Sequence, residues 1–182
     1  SRSRRPSSRP SGFFPGSDYK DEGGYFVRYC SICGEKDVKG VVTYNLSYTL
    51  NGGSATNPST YNVETATFNL NNPTKLGYTF SGWTGSNGNT AQTTVTIPKG
   101  TTGNKSYTAN FTANNDTKYT VYHQQEQLDG TYKTYETEIL KGTTDTTVTP
   151  ARKSYTGFDS PAGTSVLIKP DGSASVTYKY KR

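Results

Sequence analysis

Residues 42–50 read VTYNLSYTL, so that Val42, Tyr44, Leu46, Tyr48 and Leu50 alternate with Thr43, Asn45, Ser47 and Thr49. Successive side chains of a strand point to opposite faces, and this strict alternation of apolar and polar residues predicts a half-buried β-strand. Asn51-Gly52-Gly53 ends the run with residues that take positive φ at little cost. Further strand signals follow at 67–70, 95–97 and 107–111, separated by clusters rich in Gly, Asn, Ser and Thr. Together they predict one small β module over residues 41–114.

A second module is predicted over 115–182. It opens at Tyr119-Thr120-Val121-Tyr122 and turns back at Asp129-Gly130, a hairpin dipeptide between two β-prone runs. Residues 166–168 and 175–180 flank Pro170-Asp171-Gly172, which predicts a closing hairpin. The stretch 112–118 is short and polar, so each module is expected to have its own core with few contacts crossing between them. Both modules carry a related phrase: Pro73 and Lys75 before Tyr78 and Phe80, then Pro150 and Lys153 before Tyr155 and Phe158.

Composition agrees with two small cores. Hydrophobic residues make up 30% of the 182, too few for one large core, and they are dominated by 15 Tyr, 7 Phe and a single Trp, with 19 Gly and no Met. That is a β-sheet palette, and with only 19% charged residues the chain is expected to fold. The fold class expected is mainly β: two tandem small β-grasp-like modules, mostly antiparallel, behind a disordered basic tail. Residues 1–17, SRSRRPSSRPSGFFPGS, are the tail, and residues 18–40 are read as a linker with one local feature.

The net charge of +6 is unevenly placed. Arg2, Arg4, Arg5 and Arg9 contribute +4 in the tail, whereas 18–40 carries -1, 41–115 carries +2 and 116–182 carries +1. A nucleic-acid binder puts its basic residues on a folded face among stacking aromatics, so no nucleic-acid partner is expected. No apolar run approaches the length needed to span a bilayer, and no membrane insertion is expected. The chain starts without Met and shows no signal-peptide pattern, which reads as an internal fragment or a trimmed product.

Asn51-Gly52-Gly53, Pro58, Tyr61, Leu70, Pro73 and the phrase Gly77-Tyr78-Thr79-Phe80-Ser81-Gly82-Trp83, continued by Gly103, Tyr107 and Ala109, resemble the Listeria/Bacteroides repeat, or internalin B-repeat. Phe111 stands where that repeat often has Trp. Residues 119–122, 142–144, 148–150, 155–158 and 176–180 resemble, more weakly, the β-grasp repeats that accompany this family and the mucin-binding-protein (MucBP) repeats. The resemblance implies compact modules in tandem on an extracellular bacterial protein, and no catalytic residues. Gly77, Tyr78, Phe80, Gly82 and Trp83 are the structural residues it singles out, with the two glycines letting the backbone bend round an aromatic cluster.

Candidate chemistry is sparse. Cys30 and Cys33 form a CxxC pair that looks like half of a zinc ribbon or knuckle. A closed structural zinc site takes four ligands, and His123 is the only other soft ligand, so no metal and no cofactor are expected. The pair reads as a relic half-site or a local disulfide. His123 reads as a structural or surface histidine, and Glu136 and Glu138, two apart in a strand, as a solvated face. Trp83 with Tyr78 is expected in the core rather than as a sugar-stacking platform.

The function expected is therefore that of a non-enzymatic spacer or stalk on the bacterial cell surface, built of monomeric beads and with a possible part in adhesion. The alternative is a module that binds a glycan or a host protein through sheet edges or loop tips such as 85–89. Host or cell-wall proteins and glycans are the partners implied.

Overall fold

The structure, a computed structural model, describes residues 18–182. These form fifteen β-strands and, among the described residues, no helix: β1 (Lys20–Glu22), β2 (Tyr25–Tyr29), β3 (Lys36–Val41), β4 (Tyr44–Thr49), β5 (Thr60–Tyr61), β6 (Phe68–Asn69), β7 (Tyr78–Gly85), β8 (Gly88–Gln92), β9 (Thr96–Ile97), β10 (Lys105–Ala113), β11 (Thr117–Glu126), β12 (Tyr132–Gly142), β13 (Thr147–Val148), β14 (Val166–Leu167) and β15 (Ser175–Tyr180). The chain is thus a mainly β protein, as its alternating runs predict. The expected disordered tail, 1–17, lies outside the described residues.

Five sheets result, with strand orders β1-β2-β3, β5-β4-β10-β7-β8, β12-β11-β15, β13-β14 and β6-β9. Two of these share a plan: the order β5-β4-β10 repeats as β12-β11-β15, an opening strand held between the strand that follows it and a late strand. In the second case β11 runs antiparallel to β12 and parallel to β15, with Val121 opposite Val176 and His123 opposite Tyr178.

The chain divides into two compact units. The first takes in the described residues up to Ser47 together with Pro58–Leu70 and Thr96–Ser106; the second is Tyr48–Asn57, Asn71–Val95 and Tyr107–Arg182. Strands β4 and β10 pass from one to the other, and the second unit continues through residue 114.

In the first unit, residues 18–40 are not a linker. They form the antiparallel meander β1-β2-β3, closed by Gly24 and by the turn from Cys30 to Glu35. Val27 is buried, Gly24 accepts the Val42 amide at 2.8 Å, and a Cβ on Gly24 would fall 1.9 Å from Val63 Cγ1. Behind it Tyr44 and Tyr61 face each other at 5.6 Å, the Tyr44 hydroxyl donates to Asp21, and the Tyr61 hydroxyl donates to Gly103 O at 2.5 Å. Burial is the first reason that the Tyr44 hydroxyl is pushed up to about 12, and its bond to Asp21 adds to it.

In the second unit β7 pairs with β10, Trp83 opposite Ala109, and a bulge between Asn110 and Phe111 resets the register. The hairpin of β11 and β12 turns at Gln127–Thr131, where Gly130 has φ 81°, as Asp129-Gly130 predicts. The closing hairpin does not form. Pro170-Asp171-Gly172 does make a turn, with the Gly172 amide on Lys169 O at 3.0 Å, but β14 pairs with β13 and β15 lies parallel to β11. Alternation decides this. Val176, Tyr178 and Tyr180 all face inward and join Tyr119, Val121, Ile168 and Ala174 in one core.

The polar stretch 112–118 is mostly strand, leaving three residues between β10 and β11. Asn114 donates its amide to Gly77 O and accepts the Thr144 amide, both at 2.9 Å, and the Tyr78 hydroxyl donates to Asp145. A Cβ on Gly77, whose φ is 76°, would lie 2.8 Å from Pro170. These are polar and backbone contacts, and Trp83 is not among the residues of the core built on Tyr178 and Tyr180.

Candidate functional site

Among the described residues, three groups hold the side chains that the sequence singles out. The first surrounds Trp83, which the alternation of β7 turns inward and which is 0% exposed. Its ring centre lies 5.4 Å from Phe80, 6.0 Å from Tyr48 and 6.4 Å from Tyr107, mostly edge to face, and its Nε1 donates to Asn72 Oδ1 at 3.1 Å. Phe80 also meets Phe111 at 5.7 Å. Gly82 is what admits strand β8: its φ is 133°, and a Cβ there would sit 2.6 Å from the Gln92 nitrogen. Tyr78 is half-buried at the start of β7, with Lys75 Nζ 4.1 Å over its ring. The five singled-out residues therefore split: Phe80, Gly82 and Trp83 meet at the aromatic cluster, while Gly77 and Tyr78 face Pro170 and Asp145.

The second group is one the sequence reading left apart. His123 on β11 is fully buried; its Nδ1 lies 2.9 Å from the Tyr180 hydroxyl and its Nε2 2.8 Å from Glu138 Oε2. Tyr180 accepts the Lys153 amide at 2.8 Å, which leaves its proton for Nδ1 and makes Nε2–H the donor to Glu138. Lys153 Nζ bridges the two carboxylates, bonding Glu136 and standing 3.0 Å from Glu138, and the Tyr155 hydroxyl donates to Glu136 at 2.9 Å. Glu136 and Glu138 are thus not a solvated face. The bond from Lys153 holds Glu136 below the usual carboxylate range, the bond from His123 does so for Glu138, and both bonds raise Lys153 above the usual amine range. Burial first, and the Glu136 bond second, push the Tyr155 hydroxyl up to about 12. Both ring nitrogens of His123 are committed, and its one hydroxyl partner, Tyr180, is itself fully buried.

The third group is the turn between β2 and β3. The Cys33 amide donates to Cys30 Sγ at 3.3 Å, the Gly34 amide to Cys30 O at 2.9 Å, and the Cys30 amide to Glu35 O at 2.8 Å. Both thiols are free, Cys33 is exposed and Cys30 half-buried. The Cys33 thiol, and then the amides of Cys33 and Ile32, lower the Cys30 thiol from its ordinary value, while donating to Cys30 raises Cys33. Both ring nitrogens of His123 are taken up by Tyr180 and Glu138. Among the described residues, no three of His, Cys, Asp and Glu gather to hold a metal ion.

Lys153, Tyr155 and Tyr180 are the site residues that sequence reasoning missed. The inward alternation of Val176, Tyr178 and Tyr180 carried a signal for Tyr180; nothing local placed Lys153 against two glutamates.

Residues 44–106 match the family model of the Listeria-Bacteroides repeat domain, a module that occurs in bacterial surface proteins. The match holds the Gly77–Trp83 phrase and ends one residue before Tyr107. No curated protein matches the chain.

Proposed function

We propose that this chain is a non-catalytic segment of a bacterial cell-surface protein, displayed outside the cell and serving as a spacer or stalk. The match of residues 44–106 to the Listeria-Bacteroides repeat carries the reading. The aromatic side chains support it: Trp83, Tyr107, Tyr178 and Tyr180 are spent on cores rather than displayed on a binding face. The second segment, from about residue 115, acts as a further β-grasp-like bead related to the mucin-binding-protein repeats. The shared order of β5-β4-β10 and β12-β11-β15 supports that kinship. No enzyme activity and no nucleic-acid partner belong to this function.

One observation favours an adhesive variant of the same reading. Tyr122 and Ile139 are 37% and 68% exposed on neighbouring strands, a small apolar surface available for weak contacts that repetition multiplies. The test is a panel of glycans and host extracellular proteins offered to the immobilised full chain, together with antibody labelling of intact cells carrying the parent protein. A spacer gives surface labelling and no saturable ligand. Saturable binding abolished by Tyr122→Ser moves the function to adhesion, and a chain reached by antibody only after lysis overturns the surface reading.

A further inference from the structure

The CxxC turn presents two free thiols on a hydrogen-bonded loop. Thiolate sulfurs on zinc keep lone pairs that accept backbone N–H bonds, and such bonds fix the ligand's orientation while offsetting its charge. Here the Cys33 amide already points at Cys30 Sγ at 3.3 Å, and the two further bonds, Gly34 N to Cys30 O and Cys30 N to Glu35 O, close the chain into a tight loop with Gly34 at φ 70°. The turn rests on a paired β2-β3 hairpin with Tyr29 opposite Lys36, so it is held on a rigid support rather than in a linker. A zinc ion closed by thiolates takes four ligands in a tetrahedron. Among the described residues no third ligand is near, while the tip itself projects: Ile32 is 87% exposed, Cys33 is exposed, and Ser31 and Gly34 are small.

We propose that Cys30 and Cys33 are one half of a tetrathiolate zinc site, completed by the same turn of a second copy of this chain. The interface is self-complementary about a two-fold axis through the ion, as a symmetric dimer requires. Two chains bring four thiols to one Zn²⁺, four Zn–S bonds form, and up to four protons leave to solvent, so no electrons move and no co-reactant is needed. The proposal goes beyond the stalk reading: the ion links two such segments side by side at their N-terminal ends.

The experiment uses the full chain, reduced and kept free of oxygen, titrated with Co²⁺ as a spectroscopic substitute and followed by absorption and sedimentation velocity. The expected result is saturation at one ion for every two chains, with the intense visible bands and the thiolate charge-transfer band of tetrahedral Co–S₄, a doubling of the sedimenting mass, and displacement of the colour by Zn²⁺. Cys30→Ser and Cys33→Ser each abolish all of these, while unchanged far-ultraviolet circular dichroism and unchanged hydrogen-exchange protection of β2 and β3 show that the variants remain folded. Saturation at one ion per chain with the monomer mass overturns the proposal. So does a dimer that persists in either serine variant, or a reduced chain that takes up no cobalt and closes instead to a Cys30–Cys33 disulfide in air.

Discussion

Replacing Trp83 by alanine removes the largest fully buried side chain of the protein. Three rings lose their central partner at once, since Phe80, Tyr48 and Tyr107 all lie within 6.4 Å of the indole. The hole cannot collapse easily, because Phe80 is held on its other side by Phe111 and Tyr107 sits in the β10 strand opposite Gly85. A buried Trp→Ala change costs about 3–5 kcal/mol. The lost bond to Asn72 adds little, because Asn72 is exposed and water replaces the indole N–H. With a slope of about 2 kcal/mol per molar urea, a 4 kcal/mol loss moves the unfolding midpoint down by about 2 M. Trp83→Phe keeps one ring and should lose less than half as much. Circular dichroism and tyrosine fluorescence, with 15 Tyr remaining, follow the transition in both variants. The parent's Trp emission should be blue-shifted and protected from acrylamide. Red-shifted emission that acrylamide quenches readily, with an alanine variant whose midpoint is unmoved, would refute the packing argument and make Trp83 a ligand platform.

The glycines give two sharper tests. Gly24→Ala places a methyl group 1.9 Å from Val63 Cγ1 at φ 87°, whereas Gly23→Ala at φ 61° meets nothing within 4 Å; the first should lose about 2–4 kcal/mol and the second about 1, and equal losses in thermal melts would show that the meander does not pack on Val63. Gly82→Ala drives its Cβ onto the Gln92 backbone at 2.6 Å, so β8 should detach, read as fast hydrogen exchange at residues 88–92, and retained protection there would contradict the geometry. For the His123 network the folded state holds Glu136 and Glu138 below their ordinary value of 4.5. The unfolded chain therefore binds more protons below that value, and the stability these carboxylates contribute is complete above it and lost as pH falls through their folded values. Glu138→Gln should flatten the decline of melting temperature between neutral and acid pH; a decline as steep as the parent's would remove Glu138 from the network.

The strands that could be read in the sequence were those whose two faces differ. In 42–50 every second residue is apolar, and β4 buries Tyr44 and Leu46 while exposing Asn45 and Ser47. The meander could not be found this way. Tyr25, Phe26, Tyr29 and Val38 stay exposed there, the register breaks between Phe26 and Val27, and the charged residues that suggested a linker bond across the strands instead, as Arg28 does to Asp37 at 2.7 Å. Turn chemistry was legible at 169–172 and still misled, because a turn fixes only its own four residues. The partner of β15 is chosen by where Tyr178 and Tyr180 can be buried, 55 residues along the chain from His123 in the case of Tyr178. A parallel neighbour of that separation leaves no local mark.

The same separation explains why the polar site was invisible. His123, Glu138, Lys153 and Tyr180 are each ordinary in their own segments, and only the β12-β11-β15 order brings them together. Ion pairs of this kind, with Lys153, Glu136 and Glu138 still 27–37% exposed, are poor evidence of extra stability. The effect of the network here is on register. The break in pairing between β11 and β12 falls between His123 and Gln124, where one residue of β12 is left without an opposite number. Slipping β12 by one residue would turn Glu136 and Glu138 away from Lys153 and leave His123 buried without its acceptor. That alternative loses four charge-assisted bonds and only exchanges Leu140, packed on the core, for Ile139, which is 68% exposed. Aromatic packing around Tyr178 and Tyr180 makes the second core stable, and the His123 network is what makes its strand pairing unique.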